Sequence, residues 1–181
     1  MTLVQSLENF NRKERYWLFQ HAIGNHPLSE KFRFDLYKLL NPPEIKLVTV
    51  KSVEIPAEAY WAIDYHFDWI AGAITEFAGL ASQFPNAPFK QEEGKSKLIL
   101  GNQEDIDLLI AFEHTLILVE YKAGGNWYGQ LKSKKRRLCL LKKLIESHVR
   151  EQTIDVHFVT VCPKDKQKNE KLWLPLEYDE K

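Results

Sequence analysis

Two carboxylates and a lysine stand at the polar ends of two short apolar runs. Asp107 precedes LLIAF (108–112), and Glu120 and Lys122 follow LILV (116–119). Oxygen donors beside a fixed cation suit a divalent metal held next to a phosphate. Mg²⁺ takes hard oxygen ligands and keeps waters beside one or two carboxylates. A metal-bound water becomes a better nucleophile, and the metal steadies charge on the phosphate. Lys122, close to two carboxylates, stays protonated. It would orient the water or stabilise developing charge rather than act as a base.

The two runs read as antiparallel strands joined by a tight turn at Glu113-His114. A symmetric turn pairs Phe112 with Thr115 and sets Asp107 opposite Glu120. Opposed side chains have Cβ atoms roughly 4.5–5.5 Å apart. Two ionised carboxylates that close repel unless a proton or cation lies between them. Lys122 shares the face of Glu120, about 7 Å along the strand, and the same register pairs it with Asp105. Glu-His is not the Asn-Gly type that two-residue hairpins favour. A three-residue loop would shift the register by one and part the carboxylates onto opposite faces. Asp105 rivals Asp107, which borders the apolar run directly. The plainer reading is that charges emerge into water at strand ends and Lys122 merely pairs with Asp105.

The surrounding elements must hold these ends in place. Residues 8–23 and the stretch from Ser29 to Asn41 read as helices, and 45–56 as extended. From Ala57 a long helix is expected, because Ile63, Phe67, Ile70, Ile74 and Phe77 form an apolar stripe at steps of three and four. A loop over 82–96 and a strand at 97–100 precede the two central strands. Gly124-Gly125-Asn126 breaks the sheet. A helix over 127–148 follows, with Leu131, Leu138, Leu141 and Ile145 as its buried stripe. Residues 154–162 read as a buried strand, and the tail as an edge strand.

The order helix, three strands, helix, strand, with Asp107 on the second strand and Glu120-x-Lys122 on the third, resembles the PD-(D/E)XK nuclease superfamily. Ile106 stands where that family often has proline. The resemblance implies an α/β fold with a restriction-endonuclease-like core over 57–163, and a helical extension over 1–56 and a tail over 164–181 lie outside it. It implies Mg²⁺ or Mn²⁺ on Asp107 and Glu120. It also implies Glu76 as a further acidic residue from the first core helix, with Asp64 and Asp68 competing for that role, and Gln130 positioning the phosphate backbone.

The helix after the motif carries Lys132, Lys134, Lys135, Arg136, Arg137, Lys142 and Lys143 and no acid between them. Lys132, Lys135 and Arg136 are the candidates for contact with nucleic-acid phosphates, which give affinity rather than sequence reading. The plainer alternative is a solvated face. The reading is a metal-dependent nuclease that hydrolyses phosphodiester bonds, of DNA first, with a homodimer as a candidate assembly. The alternative is a non-catalytic module of the same fold that binds nucleic acid or protein.

Composition is consistent with this. The 25 Lys and Arg balance 25 Asp and Glu, so any basic face must be local. No apolar run reaches membrane-spanning length, and no secretory signal opens the chain, so a cytoplasmic protein is expected. Cys139 and Cys162 read as reduced core residues. His66, Asp68 and His157 lack zinc-type partners, and neither a phosphate loop nor a Gly-x-Ser-x-Gly turn occurs.

Overall fold

The computed structural model describes residues 1–24, 26–41, 53–79, 104–121, 133–134, 136–141 and 154–161. The expected strand at 97–100, Lys122, Gln130, Lys132, Lys135, Cys162 and the tail lie outside these residues. No helix among them is long and apolar enough to cross a membrane.

The fold is mixed α/β. Helices α1 (Leu3–Phe10), α2 (Glu14–Ile23) and α3 (Glu30–Leu40) come first. Strand β1 (Tyr60–His66), helix α4 (Phe67–Phe77), strands β2 (Asp105–Phe112) and β3 (Thr115–Tyr121), and strand β4 (Asp155–Val161) follow. Residues 133–134 and 136–141 are also helical, and we call this stretch α5. The four strands form one sheet in chain order. β1, β2 and β3 run antiparallel, and β4 joins β3 in parallel.

Local chemistry sets the helix starts. Thr2 accepts from the Gln5 backbone N–H while the Gln5 side chain accepts from the Thr2 N–H, a reciprocal cap. Ser29 caps α3 through the Phe32 N–H. His66 Nδ1 accepts from the Asp68 N–H at the start of α4.

The helix expected from Ala57 is corrected: residues 60–66 are a strand, and only the portion from Phe67 is helical. The segment YWAIDYH is rich in aromatic residues, which favour strands. Pairing with β2 from Tyr60↔Ala111 to His66↔Asp105 satisfies its backbone. Ile63 was in phase with the helical stripe by coincidence.

The hairpin register is the one expected, from Phe112↔Thr115 to Leu108↔Val119. The two-residue turn at Glu113-His114 is accommodated by placing Glu113 at φ 46°. At that end the His114 carbonyl accepts from the Asp155 N–H, and the His114 ring stands edge-on to Phe77.

Both faces of the sheet are covered. On the first, Leu109, Ala111, Leu116 and Leu118 pack with Leu3 and Leu7 of α1, with α4, and with Leu138 and Leu141 of α5. On the second, Ile110, Ile117, Val119 and Val159 pack against Leu36 and Leu40 of α3. The opening helices therefore supply core to both faces rather than hang off an extension. α1 lies so close to α4 that a Cβ at Gly72 would sit 2.5 Å from the Phe10 ring.

Candidate active site

The hairpin turn closes one end of β2 and β3, so Asp107 and Glu120 fall at the other. The last regular pair is Leu108↔Val119, and one step further Asp107 stands across from Glu120. There the ladder gives way to a side chain. Asp107 Oδ2 accepts the Tyr121 backbone N–H at 2.6 Å, and Asp107 Oδ1 has no partner among the described residues.

On the other side of Asp107 lies Asp64. Pairs Ile63↔Leu108 and Tyr65↔Ile106 flank the place where Asp64 and Asp107 meet, and that pair itself is skipped. Asp64 sits at φ 50°, a left-handed conformation uncommon for a residue with a side chain. Three acidic residues therefore stand on three adjacent strands at one level.

Glu120 is fully buried and forms an ion pair with Lys134 Nζ of α5. Lys134 also donates to the Asp105 carbonyl at 2.6 Å. An isolated buried carboxylate is costly, and Lys134 offsets that cost while fixing where Glu120 points. Arg137, one turn on, is 1% exposed. Its guanidinium pairs with Asp68 and, at 2.6 Å, with Glu104, and lies over the Phe67 ring at 4.1 Å. Lys13 of the α1–α2 connection reaches Asp105 Oδ2 at 2.6 Å, while Asp105 Oδ1 is buried with no partner among the described residues.

Six carboxylates (Asp64, Asp68, Glu104, Asp105, Asp107, Glu120) thus share this end with three described cations (Lys13, Lys134, Arg137). The donors are all oxygen. Among the described residues no group of three or more His, Cys, Asp or Glu forms a ready metal cage. Mg²⁺ needs only one or two protein carboxylates plus water, so Asp107 and Glu120 are sufficient in kind.

Glu76 does not join this cluster. It precedes Phe77, whose ring meets His114 in the hairpin turn at 5.5 Å, so it belongs to the opposite end of the strands. Its Oε2 is buried with no partner among the described residues. Of the three acids weighed near the first core helix, Asp64 and Asp68 lie at the carboxylate-rich end. Arg136 is exposed, as a phosphate contact would be. Lys122, Gln130, Lys132 and Lys135 fall outside the described residues.

Sequence reasoning missed Lys134 and Arg137, which it placed in a basic run without a buried role. A signal was present. Positions 134, 137, 138 and 141 share one helix face at steps of three, one and three, so two cations lie on the same stripe as Leu138 and Leu141.

No family model matches this chain, and neither a curated protein nor a solved structure matches it.

Proposed function

We propose that the protein is a metal-dependent nuclease of the restriction-endonuclease-like type, acting on phosphodiester bonds of DNA. The observation that supports this reading best is that Asp107 and Glu120 lie one step beyond the Leu108↔Val119 pair at the strand ends, flanked by Asp64, where acid outnumbers base among the described residues. Such an end lowers its repulsion by taking up a cation.

Asp107 and Glu120 would hold Mg²⁺ or Mn²⁺. The bound metal would supply an activated water and charge stabilisation at the phosphate. Lys134 aims Glu120 through their ion pair, and Arg137 neutralises Asp68 and Glu104 so that they do not compete for the metal. The Tyr121 N–H orients Asp107 through one oxygen and leaves the other for a ligand. Lys122 is the expected partner of the attacking water, and the exposed Arg136 the expected phosphate contact.

A second reading has its own support. Because Glu120 is already paired with Lys134, the cluster could be purely structural, in a non-catalytic binding module of the same fold.

Calorimetric titration with Mg²⁺ and Mn²⁺ and a cleavage assay on single- and double-stranded DNA separate the two. The nuclease reading expects metal binding, a rise in melting temperature with metal by mass action, and cleavage lost in Asp107→Asn with the fold intact. Lys122→Ala should lose cleavage yet keep much of the metal affinity. Wild-type protein that binds no divalent metal and cuts no DNA would leave the module reading.

A further inference from the structure

At the β1 edge of the sheet, away from the acidic end, α1 and α2 leave a cavity of about 400 Å³ against the start of β1. Its walls are aromatic: Tyr16 and Trp17 from α2, Tyr60 and Trp61 from β1. The rings stand steeply to one another. Tyr16 makes angles of 72° with Trp17, 67° with Tyr60 and 88° with Trp61, at centroid separations of 5.2, 6.4 and 6.2 Å. Trp61 is fixed by its indole N–H, which donates to the His26 carbonyl at 2.9 Å. Tyr60 is fixed by Asn11, which donates to its hydroxyl at 3.2 Å.

The ionisable side chains at the cavity besides the tyrosines are Glu8, Glu58 and His21; Glu8 and Glu58 are both exposed and without an ion-pair partner among the described residues, so acid outnumbers base in this lining. Burial holds the Tyr16 and Tyr60 hydroxyls above the usual phenol range, and the Glu8 carboxylate adds a smaller push in the same direction.

We propose that this cavity binds an organic ammonium cation with an apolar body, of the alkylated-ammonium class. Aromatic rings set at steep angles present negative faces to a cation, and an alkylated ammonium sheds water more readily than a metal ion. The two carboxylates add long-range attraction. The volume lies in the range of small-molecule pockets, roughly 300–1,000 Å³. A stacked nucleotide is the rival for an aromatic site, but its phosphate would face Glu8 and Glu58. This site is independent of Asp107 and Glu120, and its test does not depend on nuclease activity.

Ligand-observed NMR and calorimetry on the full chain with choline chloride test it, with the uncharged tert-butyl isostere of choline as control. Choline should bind saturably, and the isostere roughly tenfold more weakly. Trp17→Ala and, separately, Glu58→Gln should each weaken choline by about three- to tenfold with an unchanged circular dichroism spectrum. Glu58 is exposed, so its variant tests the site even if the tryptophan variant misfolds. A peptide carrying trimethyllysine that binds more than about tenfold tighter than choline assigns a chain-borne cation, and equal affinity assigns a free one. The proposal is overturned if choline does not saturate, if the isostere binds as well, if a mononucleotide binds more tightly, or if Glu58→Gln changes nothing.

Discussion

The two faces of the sheet handle polarity differently. The first face, under α1, α4 and α5, buries Glu120, Lys134 and Arg137 as paired charges. The second, under α3, has no buried ion pair among the described residues. Its polar intruder is His157, which pairs in register with Ile117. Burial lowers the His157 pKa, so this face keeps its polar group neutral rather than pairing it. Its Nε2 is buried without a partner among the described residues. Paired charge is retained at a cost in desolvation, and replacing such pairs with apolar residues often stabilises a protein. Concentrating them on one face, at one end, is what a site needs and a core does not.

That contrast breaks most sharply at Arg137. Arg137→Leu removes the guanidinium that pairs with Asp68 and Glu104 and should cost about 3–5 kcal/mol, read as a fall in urea midpoint. Lys134→Met should act similarly through Glu120, and adding Glu120→Leu should recover most of the loss. If either single variant is as stable as wild type, these charges are solvated and the difference between the faces disappears.

On the second face Leu36→Ala should cost about 3 kcal/mol through cavity formation, while leaving metal affinity at the acidic end unchanged. A loss of metal binding there would couple faces that the structure separates. Gly72→Ala should cost about 1–3 kcal/mol by forcing α4 off α1. Phe10→Leu in the same chain should cost less than the two changes taken singly, since the ring is what the new methyl group meets.

The smallest effect is a pH dependence. His157 binds its proton less readily folded than unfolded, so the unfolded chain takes up more protons on acidification. Stability from this residue is complete above the unfolded pKa of about 6.5 and declines as pH falls below it. Melting temperatures between pH 8 and 5 should show that slope flattened in His157→Leu.

The sequence made some of this legible and hid the rest for identifiable reasons. The β2–β3 hairpin announced itself because two apolar runs flank a polar pair, and its register follows from symmetry about Glu113-His114. β1 was hidden because Ile63 happened to stand one helical turn before Phe67. Lys134 and Arg137 were hidden because a charged run looks solvated until the apolar residues between its members are counted. Glu76 looked like a site residue because helix position says nothing about which end of the sheet that turn will reach. The three-helix opening looked like an appendage because its small apolar stripes reveal their partners only through the sheet.

The hairpin turn also has a kinetic consequence. β2 and β3 are neighbours in sequence, whereas β1 and β4 reach them across long separations. Local hairpins form in about 1–10 μs, and distant pairings come later. The hairpin therefore brings Asp107 and Glu120 together before α5 can deliver Lys134. Refolding must climb through like-charge repulsion that Lys134 relieves in part once α5 docks on Glu120. Moderate salt should accelerate refolding by screening it, and Asp107→Asn should fold faster than wild type and lose most of that salt dependence in stopped-flow measurements.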